Sequence, residues 1–350
     1  MQQPTYDEQI TMKNEMKLRE LCAGLPAFCK EFFRGIEPTT SSRTRIAYAY
    51  DLKIFFHFLQ EKYPDIEESD LQNWPVTVLD KVTLTQLEEY LDYLRLYEDA
   101  ENKVHTNEER GRMRKTASIR TFYKFFYRKQ VIKNNTASLL NLPKKHEHTI
   151  VRLEIDEIAK LLDAVEEGDN LTKSQKKYHN KTKIRDLAIL TLLLGTGIRV
   201  SECVGIDISN LDFETNGMKI HRKGGADVIL YFGEEVREAL LDYLEEREKI
   251  IPKEGSENAL FLSLQRKRMN VRSVENLVKK YAKIVTPLKK ITPHKLRSTY
   301  GTNLYRETGD IYLVADVLGH SDVNTTKKHY AALEDERRRS ARNAVKLRES

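Results

Sequence analysis

Apolar residues recur at three- and four-residue intervals through most of this chain, the spacing of amphipathic helices, and alternate in one stretch only. Residues 1–36 mix charged and apolar positions and read as an N-terminal extension, with a short helix over Met12 to Cys22. From a polar start at Ser41 or Ser42, Ile46, Tyr50, Ile54, Phe55, Phe58 and Leu59 mark one helical face that stops before Pro64. Thr83 and Gln86 have the spacing of a capping box and open a second helix, with Leu87, Tyr90, Leu91, Leu94 and Leu96 turned inward. A third helix runs from about Glu108 to Val131, with Ile119, Phe122, Tyr123, Phe126 and Tyr127 as its core face. Its other side carries Arg110, Arg112, Arg114, Lys115, Arg120, Lys124, Arg128 and Lys129. Such a stripe is either a solvated face or a track of phosphate contacts along DNA. The second reading gains weight because only Glu108 and Glu109 lie nearby to neutralise it.

The periodicity breaks at Leu142-Pro143-Lys144-Lys145-His146-Glu147-His148, which places a helical domain over 37–142 and a linker over 143–152. His146 and His148 have no further ligands beside them and read as linker. A helix from about Glu154 to Val165 follows, then a polar stretch, Glu166 to Lys183, that resembles a surface insertion. The aliphatic run Ile184 to Leu194 ends at Gly195-Thr196-Gly197, where glycine permits a tight turn into a short helix opened by Arg199. Met218 to Arg222 and Val228 to Phe232 flank Lys223-Gly224-Gly225 as a β-hairpin with Lys223 at its tip. Thr292 then reads as an N-cap and Pro293 as the first helical residue. Val314, Val317 and Leu318 close a short helix at Gly319, and Asp322 caps the next one, which carries Tyr330. The fold class is mainly α with a small β-sheet.

Bulk properties narrow the picture modestly. At 350 residues the chain exceeds the usual size of one hydrophobic core, so two domains are expected. The net charge is only +6, because 59 Lys and Arg face 53 Asp and Glu, so charge placement matters more than the total. Cys22, Cys29 and Cys203 form an odd set without CxxC spacing, which argues against a disulfide framework or a zinc site and points to a reducing cytoplasm. No apolar run approaches the ~20 residues that span a bilayer.

The candidate chemistry lies in five side chains, Arg199, His294, Arg297, His320 and Tyr330. Two arginines can neutralise the non-bridging oxygens of a phosphodiester, two histidines can donate hydrogen bonds or move protons, and a tyrosine hydroxyl can form a covalent phosphoryl intermediate. His294 and Arg297 share one face of a helix whose N-terminal end attracts anions. Glu202, three residues after Arg199, can orient the guanidinium, and Lys223 can act as general acid toward a departing 5′-oxygen. This chemistry requires no metal or other cofactor.

The segments Gly195-Thr196-Gly197-Ile198-Arg199-Val200-Ser201-Glu202, Lys223-Gly224-Gly225, His294-Lys295-Leu296-Arg297, Leu318-Gly319-His320-Ser321 and Tyr330 resemble, in order and separation, those of tyrosine recombinases. Within that family the chain is most similar to the Xer-type bacterial enzymes. The resemblance implies a catalytic domain over 153–335, preceded by a SAM-like helical core-binding domain. It implies that Arg199 and Arg297 clamp the scissile phosphate, Lys223 protonates the leaving 5′-hydroxyl, His294 and His320 assist, Glu202 supports the site, and Tyr330 attacks to give a 3′-phosphotyrosyl link.

The implied partner is a double-stranded recombination site, bound as a dimer per site and a homotetramer on two duplexes. The basic tail over 336–350 would be a helix exchanged between protomers. Two departures stand out: His320 and Tyr330 are ten residues apart, one more than in many members, and Ser298 stands where many have histidine. Three other functions share these features: an integrase or transposase of a mobile element, a type IB topoisomerase, and a non-catalytic DNA-binding regulator.

Overall fold

Reciprocal side-chain caps set where several helices begin. In the computed structural model, which describes residues 5–99, 102–141, 151–222, 225–320 and 323, the chain splits into two compact units, Met1–His148 and Thr149–Ser350. The first helix, α1 (Tyr6–Ala23), starts at a capping box in which the Thr5 N–H donates to Glu8 Oε2 at 2.8 Å. It is followed by α2 (Cys29–Ile36), α3 (Ser42–Lys62), the single turn α4 (Val78–Lys81) and α5 (Leu84–Tyr93). Ser41 caps α3 through the Thr44 N–H, and Thr83 and Gln86 form the expected box on α5. An antiparallel ribbon of β1 (Leu96–Glu98) and β2 (Val104–Thr106) then leads into α6 (Glu109–Arg128).

Residues expected to form a separate N-terminal extension belong to the same core as the rest of this unit. Leu18, Leu21, Leu25, Cys29, Phe32, Phe33 and Ile36 are buried in one cluster with Phe55, Phe56, Leu87, Tyr90, Phe122 and Phe126. Phe32 meets Phe122 edge-on at 5.0 Å between centroids and 86°. With several phenylalanines wholly buried here, truncating one to alanine would cost about 3–5 kcal/mol. The helix expected from Met12 therefore starts earlier, and α2 was not foreseen. Leu96, assigned to the inner face of the second helix, lies in β1 and is exposed, because α5 ends before it. Tyr50 and Tyr127, also assigned inward, are exposed.

The second unit opens with α7 (Ile155–Glu167) and α8 (Lys173–Thr196), followed by α9 (Val200–Gly205). A three-stranded antiparallel sheet follows, in the order β3 (Leu211–Asp212), β4 (Gly217–His221), β5 (Asp227–Tyr231). The remaining helices are α10 (Glu234–Glu248), α11 (Val271–Val285), α12 (Pro293–Thr308) and α13 (Ile311–Leu318). The stretch expected to be a surface insertion instead ends α7 and, after a short connection, forms the first half of α8, which starts at a capping box of Thr172 and Gln175. Most of its polar residues are exposed, but His179 and Thr182 face inward, as does Asp186 just beyond it. Asp186, almost fully buried, accepts from Arg185 at 2.6 Å, from Lys280 at 3.0 Å and from the Tyr281 hydroxyl at 3.2 Å, tying α8 to α11. The long α8 packs against α7, α10 and α12 and forms the axis of this unit.

No helix among the described residues is long and apolar enough to cross a membrane. The linker expected over 143–152 lies, except for its last two residues, outside the described residues, as do Asp322 and the tail over 336–350.

Candidate active site

The second half of α8 is apolar and buried, so the chain leaves it abruptly: Gly197 takes the left-handed conformation, φ +63°, and reverses the backbone. Arg199 comes next, at the N-cap of α9. Its backbone N–H donates to Glu202 Oε2 at 3.0 Å and its guanidinium to Glu202 Oε1 at 2.8 Å, so the carboxylate orients both. Glu202 is buried, which leaves Arg199 as its answer to an otherwise uncompensated charge.

On α12, Pro293 occupies the first helical position as expected, but the Thr292 hydroxyl makes no cap bond. Arg297 is 6 % exposed and points into the unit. It donates to the Gly197 carbonyl at 2.5 Å and to the Leu318 carbonyl. His294, one turn earlier, is exposed at the surface, yet its pKa is lowered from the ordinary 6.5, first by the protein mass on its inner side and then by Lys295, Arg297 and Arg199. It is neutral near pH 7.

Helix α13 ends at Gly319, also left-handed at φ +58°. The Gly319 N–H donates to Asp316 O at 2.8 Å and the His320 N–H to Ala315 O at 2.9 Å, a Schellman closure. Four consecutive carbonyls at this end accept from arginines. Arg222 donates to Asp316 O at 3.2 Å and Val317 O at 2.7 Å, Arg297 to Leu318 O, and Arg199 to Gly319 O at 2.9 Å. The negative end of a helix dipole and its unsatisfied carbonyls attract cations, which gathers three guanidinium groups around the turn that delivers His320.

Of the residues singled out from sequence, Arg199, Glu202, Arg297 and His320 therefore converge on one turn, with His294 one helical turn before Arg297. Lys223 and Tyr330 lie outside the described residues. Arg222 was missed; its signal was its place at the hairpin's end, directly before Lys223.

In the first unit the basic stripe divides. Arg110, Lys124 and Arg128 are exposed on α6, and Arg112 and Arg120 are half-buried. Arg114 makes a two-pronged pair with the fully buried Asp51, at 2.5 and 2.7 Å. Lys115 is itself buried and donates to Asn107 at 2.7 Å, so it does not belong to a surface track. Lys129 pairs with Glu31 at 2.6 Å. The expectation that no internal acid neutralises the stripe fails for Arg114 and Lys129, because their acids come from α3 and α2, distant in sequence.

The profile of the Phage integrase family matches residues 151–337. A tyrosine recombinase XerC of Caldanaerobacter subterraneus is 35% identical over 314 residues, 87% of this chain and 81% of that protein. A tyrosine recombinase XerD of Oceanobacillus iheyensis is 28% identical over 296 residues, 84% of this chain and 89% of its own length. Among solved structures, the Tn1549 transposon integrase in complex with transposon right end DNA has the same fold, with a TM-score of 0.61 at 21% identity, covering 93% of this chain and 99% of that one. XerH recombinase bound to difH substrate gives 0.59 at 17%, covering 83% and 77%. With its helical first unit, its catalytic-domain match and its closely similar curated relatives, the chain belongs to the phage integrase family as a Xer-like tyrosine recombinase.

Proposed function

We propose that this site-specific recombinase cleaves and rejoins DNA through Tyr330. The tyrosine oxygen attacks the scissile phosphorus, the bond to the 5′-oxygen breaks, and a 3′-phosphotyrosyl link forms. The tyrosine proton passes to a histidine, for which His294, held neutral, is the available base. Lys223 delivers a proton to the departing 5′-hydroxyl, and the reverse attack by a 5′-hydroxyl restores the phosphodiester. The link retains the energy of the broken bond, so exchange needs no ATP. Arg199, Arg297 and His320 stabilise charge on the phosphoryl oxygens, the task metal ions perform in other phosphoryl-transfer sites.

The observation that carries this reading is the convergence of Arg199 and Arg297 on neighbouring carbonyls, Gly319 O and Leu318 O, immediately before His320. They come from α9 and α12, and no local fold rule requires them to meet. The exposed cations of α6, Arg110, Lys124 and Arg128, serve as phosphate contacts for a duplex. Two protomers occupy each site and four act on two duplexes, in the cytoplasm, with the basic tail over 336–350 docking between protomers.

The test is covalent trapping on a nicked duplex. The wild-type chain should yield a protein–DNA adduct that maps to Tyr330 and forms in EDTA, and Tyr330→Phe should yield none. An adduct on another side chain, or one abolished by EDTA, would overturn the proposal.

A further inference from the structure

Arg222 lies outside the catalytic set and yet holds more of the α13 terminus than either catalytic arginine. Its two terminal nitrogens reach Asp316 O at 3.2 Å and Val317 O at 2.7 Å, whereas Arg199 and Arg297 each take one carbonyl of that end. Its backbone is equally committed. The Arg222 N–H donates to Ala226 O at 2.9 Å and its carbonyl accepts from the Gly225 N–H at 3.1 Å, closing the turn between β4 and β5. One residue therefore joins the root of the hairpin to the end of the helix that precedes His320.

The contact is tight enough to constrain its partner. A β-carbon at Gly319 would lie 2.6 Å from Arg222 Cζ, closer than real atoms approach, so the guanidinium lies flat against the glycine. Gly319 suits the turn through its φ of +58°, and a side chain there would displace the Arg222 guanidinium from this position.

We propose that Arg222 is a positioning residue for the recombinase reaction, fixing the α13 terminus so that His320 faces the phosphate. The proposal rests on the catalytic reading above and deepens it. A flat, forked donor spans two successive carbonyls, which lysine, a single point of charge, does not. Without it the α13 end loses its bonds at Asp316 O and Val317 O, while those at Leu318 O and Gly319 O come from arginines that must also serve the phosphate.

The experiment uses the full chain and a nicked duplex obtained by covalent capture from a randomised DNA library on the wild-type protein. Cleavage rate at saturating protein and DNA dissociation constant are measured separately for wild type, Arg222→Ala, Arg222→Lys, His320→Ala and the double variant Arg222→Ala/His320→Ala. The expected result is a cleavage rate roughly 10- to 100-fold lower for Arg222→Ala, the size of effect seen when a group that orients a functional side chain is lost, with a dissociation constant within about threefold of wild type. Arg222→Lys should fall between, and the double variant should be no slower than His320→Ala alone. Multiplying defects in the double variant, a defect confined to DNA affinity, or a wild-type rate in either Arg222 variant would overturn the proposal. If Arg222→Ala melts below the assay temperature, Arg222→Lys alone and combined with His320→Ala decides by the same criteria. Tyr330→Phe, run alongside, separates the two readings: an adduct there refutes the tyrosine chemistry, whereas a refutation of Arg222 leaves it standing.

Discussion

The turn at Gly197 joins backbone strain to the site, and replacing it by alanine exposes both. At φ +63° a β-carbon costs roughly 1–2 kcal/mol. Built in place, that atom would also sit 3.0 Å from Leu318 Cδ2, 3.1 Å from Tyr300 Cγ and closer still to Tyr300 Cδ1. These neighbours are ring and core atoms with little room to yield, so overpacking adds about 1–3 kcal/mol. The sum is about 2–5 kcal/mol, a drop in melting temperature of roughly 4–20 °C for a unit of this size. Because the Gly197 carbonyl accepts from Arg297, any shift of the turn also moves the arginine, and cleavage measured below both melting points should fall at least ~10-fold. Gly255→Ala is the control. Its φ is +77° and nothing lies within 4 Å of the added atom, so it should show the strain alone, roughly 1–2 kcal/mol, with cleavage unchanged. A Gly197→Ala protein that melts no lower than Gly255→Ala and cleaves at the wild-type rate would refute the packing argument.

Two further outcomes follow from the electrostatics. Removing exposed Lys124 should lower DNA affinity and reduce the slope of log K against log salt by about 1, whereas removing Lys115 should leave the slope unchanged and lower thermal stability; equal slopes for the two variants would show that the division of the stripe is wrong. Because His294 has a depressed pKa in the folded chain, the unfolded chain binds its proton first. Its contribution to stability is therefore present above about pH 6.5 and lost as pH falls through the lowered value. Urea unfolding from pH 7.5 to 5 should show wild type losing more stability than His294→Gln; parallel curves would refute the shift.

Much of this architecture was legible in residue order, for identifiable reasons. The capping pair Thr83 and Gln86 located α5, and Gly197 and Gly319 marked helix ends because their left-handed turns suit glycine. The same logic applied at Thr172 and Gln175 would have shown that the polar stretch after α7 is a helix start. What hid it was composition, since most of the stretch is polar and exposed, while inward-facing His179 and, just beyond it, Asp186 meet Tyr281 and Lys280, about a hundred residues away. The fate of Arg114 was hidden likewise, its partner Asp51 lying on another helix. In the site, sequence order named Arg199, Arg297 and the Glu202 carboxylate, but not the carbonyls of Gly197, Leu318 and Gly319 that accept from the two arginines. A carbonyl has no letter in the sequence.

That asymmetry bears on how the enzyme can drift. The grip on the α13 terminus is read from main-chain oxygens that every residue type supplies, so Asp316, Val317 and Leu318 are free, as far as this grip goes, to change identity without loosening it. Tolerance ends at Gly319, where a side chain would push the guanidinium off. Variation can therefore accumulate on the accepting side of the clamp, while on the donating side the two-pronged reach of Arg222 is one that lysine's single point of charge matches only in part.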